Sequence, residues 1–250
     1  MCAIGLASNL LNCARVALTR TSHPVNLSVD KKMKIALTQY GRREIVLCSA
    51  LCASAAAAIS AAAWKIHPAW SAGLVAPGVF WAWVLWFFRD PQRTCPADAG
   101  LLIAPADGVV SDITPVGAES PLGTEGVKIG IFMNVCNVHV NRSPEDAQVL
   151  KVDHKKGLFL DARDPDAGEK NESATIYLSV PSEGGKQSPL VVRQVAGLIA
   201  RRIVTDLTPT QVLKRGQRIG MIKFGSRVEV FAPLHLARRV LVSVGDKTRA

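Results

Sequence analysis

Two stretches without a single charge, residues 45–64 and 69–88, constrain this chain more than any other feature. The first is rich in alanine; the second carries Trp70, Trp81, Trp83 and Trp86. About 20 apolar residues suffice to cross a bilayer core as a helix. Only Lys65-Ile66-His67-Pro68 separates the two stretches, with Arg42 and Arg43 before the first and Arg89 and Arg93 after the second. The pair therefore reads as a helical hairpin whose outer ends lie on the positive, cytoplasmic side and whose tryptophans suit the interface. Composition leaves two alternatives: a hydrophobic hairpin buried in a soluble protein, and shallow insertion of the Ala-rich run. The expected location is the cell membrane, with the rest of the chain on the cytoplasmic side.

Residues 1–32 show no strong pattern and read as a poorly defined N-terminal extension, with Met33 a possible alternative start. Beyond the hairpin segment, 33–93, the pattern changes. Short β-like runs separated by turns occupy 101–104, 108–113, 127–133, 138–140, 147–153, 174–180, 190–195, 218–230 and 239–244. Residues 162–172 and 181–189 are polar, Gly/Pro-containing loops, the second a hairpin connection. Many short strands with few helical intervals indicate a β-rich sandwich- or barrel-like domain over 94–250. The fold class is thus α+β: this β-rich domain preceded by the hydrophobic helical hairpin.

The formal net charge of +10 points to an anionic partner such as a membrane surface or acidic lipid. Nucleic acid is the weaker reading of this charge and is not the expected partner, since no zinc-finger spacing or aromatic–basic interleaving accompanies it. The six cysteines form no CxxC pair, which argues against a disulfide framework or a metal site.

Within 218–230, apolar residues alternate at Ile222, Phe224, Val228 and Val230, and Gly225-Ser226 interrupts them. Glycine inside a strand marks a bulge, a bend or a close backbone approach. A plain bulge is the simplest reading. A serine hydroxyl beside a distorted peptide has a second capability. It can attack the preceding carbonyl, pass through an ester and, by elimination, leave a pyruvoyl group at the new N-terminus.

The run from Arg215 through Phe224-Gly225-Ser226-Arg227 to Val230 closely resembles the self-cleavage region of phosphatidylserine decarboxylase proenzymes, in their short bacterial form. The Phe87-Phe88-Arg89-Asp90-Pro91 string resembles the same family at the junction of membrane segment and catalytic domain. The resemblance implies cleavage between Gly225 and Ser226 into a large chain, 1–225, and a small chain, 226–250. These would stay together as a heterodimer, with higher oligomers open. It implies a pyruvoyl group made from Ser226 as cofactor, with no metal and no pyridoxal phosphate. It further implies membrane-bound phosphatidylserine as substrate, held through its amine as a Schiff base, decarboxylated, and released as phosphatidylethanolamine.

Other strings match the family residue by residue. Pro105-Ala106-Asp107-Gly108 reads by itself as a turn, and the resemblance makes Asp107 the carboxylate that supports the base in self-cleavage. His139, in Asn137-Val138-His139-Val140-Asn141-Arg142, matches the family's histidine-bearing strand and is the proton-transfer residue it implies. Many longer relatives carry a second histidine where this chain has Arg142, which is assigned instead to substrate binding. Asn171 and Glu172 are further substrate-binding candidates from a polar loop. Arg201 and Arg202 are read either as lipid-phosphate contacts or as solvated surface charge. The end of the chain departs from the family pattern after Asp246.

Three rivals stay open on sequence. A serine hydrolase using Ser226, His139 and Asp107 would lack the Gly-x-Ser-x-Gly elbow. A membrane-tethered binding module would need no chemistry. A pyruvoyl enzyme for a soluble amino acid would have no use for the hairpin.

Overall fold

The computed structural model describes residues 36–96, 100–164, 166–198, 202–223 and 225–250. The N-terminal extension and the Met33 start lie outside the described residues, as do Arg201 and Phe224.

A 3-10 turn, Gln39–Gly41, leads into α1, Arg42–Lys65. A second 3-10 segment, Pro68–Leu74, runs into α2, Val75–Phe87. Alanine is the best helix former, which suits the long α1. The His67 ring accepts from the Ala69 amide at 3.1 Å and caps the return. The expected helical hairpin is present, and both arms are long and apolar enough to cross a membrane. Little of either arm is covered by the rest of the chain: Val46, Leu51, Trp64, Trp70 and Val79 are all exposed. An apolar surface of this size marks an interaction site rather than a solvated face.

The β-rich part contains β1 (Gly108–Val116), β2 (Gly126–Met133), β3 (Val140–Arg142), β4 (Ala147–Lys155), β5 (Ser173–Pro181) and β6 (Gln187–Val195). It continues with β7 (Arg202–Val204), β8 (Val212–Leu213), β9 (Arg218–Lys223), β10 (Ser226–Pro233) and β11 (Lys247–Thr248), and a short α3, Ala167–Lys170, precedes β5. Eight strands form one curled, half-barrel antiparallel sheet in the order β11-β1-β2-β10-β6-β5-β4-β8. The other three form a small sheet, β3-β9-β7.

Alternation decides what faces inward. Ile129, Ile131, Ile176, Leu178, Leu190, Val192, Val228 and Val230 belong to one buried cluster. Ile219 and Ile222 of β9 join the same cluster, so the small sheet closes over the inner face of the large one. Strand β10 lies between β2 and β6 and is buried along its whole length.

Three strand expectations are corrected. The run 218–230 is not one strand. It divides into β9 and β10, which belong to different sheets. Alternation continues on both sides of Gly225, so the pattern alone gave no sign that the partner changes. Residues 101–104 and 239–244 are not strands, although Leu102, Ile103 and Val242 are buried. Their apolar side chains cover the core from irregular segments. At the other end of the large sheet, Lys247–Thr248 pairs with β1.

Ile131, fully buried and opposite both Val110 and Val228, gauges this core. Replacing it with alanine is expected to lower stability by about 2–5 kcal/mol. The loss should appear as a lower urea midpoint, and an unchanged midpoint would contradict this packing.

Candidate active site

The two sheets are joined where β9 ends and β10 begins. Gly225 has φ +63°, in the left-handed region that a residue without Cβ enters at little cost. The chain leaves the small sheet there and enters the centre of the large one at Ser226, opposite Met133 of β2. Ser226 is fully buried, and its hydroxyl has a weak partner, the Met133 sulfur at 3.5 Å.

His139, just before β3, is also fully buried. Its Nδ1 lies 3.0 Å from the Asn137 carbonyl, and its Nε2 accepts from the Gly225 amide at 3.3 Å. A carbonyl can only accept and an amide N–H can only donate. The ring is therefore neutral, with its proton on Nδ1 and its lone pair turned towards the Gly225–Ser226 junction. Burial, the largest influence, pushes the imidazole down to about 4; Arg89 acts the same way, and the Asn137 carbonyl and Asp107 act against it.

Asp107 is held by partners of its own. Its carboxylate receives two bonds from Arg93, at 2.6 and 2.7 Å, and the Ala250 amide at 2.9 Å. It touches His139 through neither ring nitrogen, so its influence on the ring is through space. Ser226, His139 and Asp107 do not form a serine-hydrolase relay, because the carbonyl of Asn137 occupies the nitrogen that such a relay gives to the carboxylate.

The three substrate-binding candidates also have internal partners. Arg142 donates to Asp90 at 2.7 Å and to the carbonyls of Gly216 and Pro91. It forms part of the wall of a polar cavity of about 320 Å³ that also includes Tyr40, Asp206 and Arg218. Asn171 is fully buried. Its Oδ1 accepts from the Leu160 amide and its Nδ2 donates to the carbonyls of Leu160 and Ala196. Glu172 contributes backbone: its amide donates to Leu158 and its carbonyl accepts from Ala196. Together Asn171 and Glu172 fix the 158–160 and 196–197 segments beside the junction.

Several residues at the site carried no clear sequence signal. A Cβ built on Gly197 would lie 2.6 Å from the Gly225 carbonyl oxygen, so a bare backbone at 197 lets that segment rest against the junction. Asn141 and Gln194, both fully buried, bond to each other at 2.7 Å between β3 and β6. The Asn141 amide also reaches the Met133 sulfur at 3.7 Å. Phe87, at the end of α2, places its ring 4.6 Å from the His139 ring. Nothing local in the sequence says that Gly197 meets Gly225.

The buried neutral imidazole makes stability depend on pH. The folded ring titrates at about 4 and the free side chain near 6.5. Between these values the unfolded chain binds more protons, so stability is complete above pH 6.5 and is lost as pH falls towards 4. The loss is on the order of 3 kcal/mol. Urea midpoints measured from pH 7 to pH 4 should fall for the wild type and fall less for His139→Gln. Equal slopes would contradict the protonation state assigned to His139.

A family profile for phosphatidylserine decarboxylase matches residues 80–250. Among relatives, the phosphatidylserine decarboxylase proenzyme of Geobacter metallireducens is 48% identical over 173 residues, 69% of this chain and 76% of that one. That of Pelobacter propionicus is 49% identical over 168 residues, 66% of this chain and 72% of the relative. That of Nitrosomonas europaea is 44% identical over 174 residues, 68% and 77% of the two chains. The match takes in the last turns of the hairpin, both sheets and the Gly225–Ser226 junction, and the chain belongs to the phosphatidylserine decarboxylase family.

Proposed function

We propose that this chain is the precursor of a membrane-associated, pyruvoyl-dependent enzyme. It would convert phosphatidylserine to phosphatidylethanolamine and carbon dioxide after cutting itself between Gly225 and Ser226. The observation that carries the reading is the neutral His139 ring, its lone pair on the amide of the glycine that precedes a buried serine.

Self-cleavage follows from these groups. The Ser226 hydroxyl loses its proton and attacks the Gly225 carbonyl carbon; the C–N bond breaks, giving an ester and a free amine at 226. Loss of the Ser226 α-proton then expels Gly225 as a carboxylate. Water replaces the nitrogen, ammonia leaves, and a pyruvoyl group remains. Burial supports the first step, because a desolvated hydroxyl without a strong partner and a neutral imidazole are both ready to exchange a proton. Gly225 supports it too, because it lies outside both strands with a left-handed backbone.

Position 226 suits such a group. It begins a strand hydrogen-bonded on both sides, so a cut before it leaves the new terminus fixed by β2, with β6 joining from Arg227 onward. Once present, the group supplies a carbonyl that condenses with the substrate amine and accepts the electrons left by carbon dioxide. His139 is the residue of this chain that would return a proton to the reacting carbon, after its Nε2 takes one up from the substrate ammonium, and its ring is kept dry by Phe87. Asp107 and Arg93 brace the turn before β1, and Arg142, Asn171 and Glu172 shape the walls. The exposed apolar hairpin supports a cell-membrane location. The exposed Arg42 and Arg43 at its start favour the cytoplasmic side for the rest of the chain. A two-chain lipid that remains in the bilayer is best met by an enzyme held there.

Intact mass spectrometry of freshly purified protein tests the maturation. Wild type should yield a fragment of residues 226–250 whose blocked N-terminus has the pyruvoyl mass, and Ser226→Ala should remain one chain. An uncut wild-type chain in membranes would overturn the reading. Gly197→Ala should slow cleavage at least several-fold, because the added methyl must displace the Gly225 carbonyl; unchanged kinetics would contradict the role given to that contact.

A further inference from the structure

The hydrophobic hairpin touches the candidate active site at both of its ends. At the end of α2, Phe87 is fully buried between the His139 ring, 4.6 Å away, and Phe88, 5.0 Å away in an edge-on arrangement. Two residues later the Arg89 guanidinium donates to the Cys136 carbonyl at 2.7 Å and lies over Trp86. Cys136 belongs to the 134–137 turn, whose Asn137 carbonyl fixes the His139 tautomer. At the start of α1, Glu44 accepts from Lys223 at 2.6 Å. Lys223 is the last residue of β9, two positions before Gly225, and its side chain is buried. Tyr40, Val84, Phe87, Phe88 and Met221 form a separate apolar cluster that joins hairpin and β9.

We infer that the hairpin is a positioning element of the self-cleavage site as well as an anchor. In this role Phe87 forms the apolar wall of the His139 ring, and the Glu44–Lys223 pair fixes the strand that delivers the scissile turn. The inference rests on the self-cleavage reading above and extends it to residues outside both sheets.

The physical argument is one of over-determination. The imidazole stands just before β3 and the Gly225 peptide just after β9, on two paired strands of the small sheet, and their 3.3 Å bond is long enough that a small relative shift breaks it. Each partner has its own contact with the hairpin, and the two arms of the hairpin pack on each other through Trp81, which donates to Ser49 at 3.0 Å. The same body therefore sets both sides of the bond. Phe87 also excludes water from the ring. The charged groups that act on His139 are Arg89 and Asp107, and neither pairs with it directly. Removing the Phe87 ring should let the imidazole titrate nearer its ordinary value.

The test follows cleavage of full-length proenzyme made by cell-free synthesis into phosphatidylserine-containing vesicles, at pH 4 to 8. For wild type the rate should hold down to about pH 5 and fall with a midpoint near 4. For Phe87→Ala the midpoint should move towards 6, which leaves about a tenth of the rings neutral at pH 5 and slows cleavage there about tenfold. Phe87→Leu, which keeps the wall apolar, should keep the midpoint low. Glu44→Gln should slow cleavage several-fold at every pH without moving the midpoint, and the exchanged pair Glu44→Lys with Lys223→Glu should recover most of the rate. Glu44 is partly exposed, so these variants report even if Phe87→Ala fails to fold. Wild type cleaving while the Phe87 and Glu44 variants keep its rate and midpoint would overturn the inference alone. Wild type that does not cleave would overturn the self-cleavage reading, and this inference with it.

Discussion

Everything in this fold turns on the passage of the chain from β9 to β10 through Gly225. The two strands are consecutive in sequence but belong to different sheets, and β10 is buried on both faces between β2 and β6. A chain that changes sheets so abruptly needs a residue with the freedom of glycine, here at φ +63°. The same abruptness leaves Gly225 outside both strands while Ser226 is already pinned opposite Met133. In the proposed maturation this placement explains how a backbone cut leaves the fold standing. Residues 226–233 keep a full ladder with β2 and share another with β6, so the small chain stays seated by the hydrogen bonds and packing it had before.

Buried charges secure the surroundings. Arg227 donates to Asp112 of β1 at 2.5 Å and to Glu229 at 3.0 Å, and Arg193 reaches Glu229 from β6, so a chain of ion pairs runs across the sheet from β1 to β6. Asp90, directly after the hairpin, is held by Arg142 of β3 and Arg218 of β9. Such pairs add little net stability over apolar substitutes, but losing one partner strands a buried charge at a cost of about 3–5 kcal/mol. Their effect is specificity of arrangement. The first network fixes the register around β10, and the second fastens the end of the hairpin to the small sheet that carries His139.

Much of this was legible in the sequence, and the limits have physical causes. The hairpin was readable because an uncharged apolar run of that length has few other fates; its helices occupy Arg42–Lys65 and Val75–Phe87, close to the expected runs. The β-rich class followed from alternation and turns. Gly225-Ser226 stood out because glycine breaks an otherwise regular strand, although alternation on both sides hid the change of sheet. What stayed illegible was partnership across distance. Arg93, read only as a positive flank of the membrane segment, proves to be the partner of Asp107. Arg142, assigned on sequence to substrate binding, already has Asp90 as a partner. Phe87 was part of a recognisable string, but nothing in its neighbours says that its ring lies on His139. Sequence pattern reports which face a residue takes and is silent on what waits there.

The central claim is that residue 226 becomes the group that holds the lipid amine. Reductive trapping tests it most directly. Processed enzyme is mixed with phosphatidylserine vesicles and cyanoborohydride, and the mass of the 226–250 fragment is measured. The account predicts a lipid-derived adduct confined to residue 226, with carbon dioxide released in unreduced controls and no adduct when phosphatidylcholine replaces phosphatidylserine. A fragment that stays unmodified while phosphatidylserine is consumed, or an adduct on another residue, would contradict it.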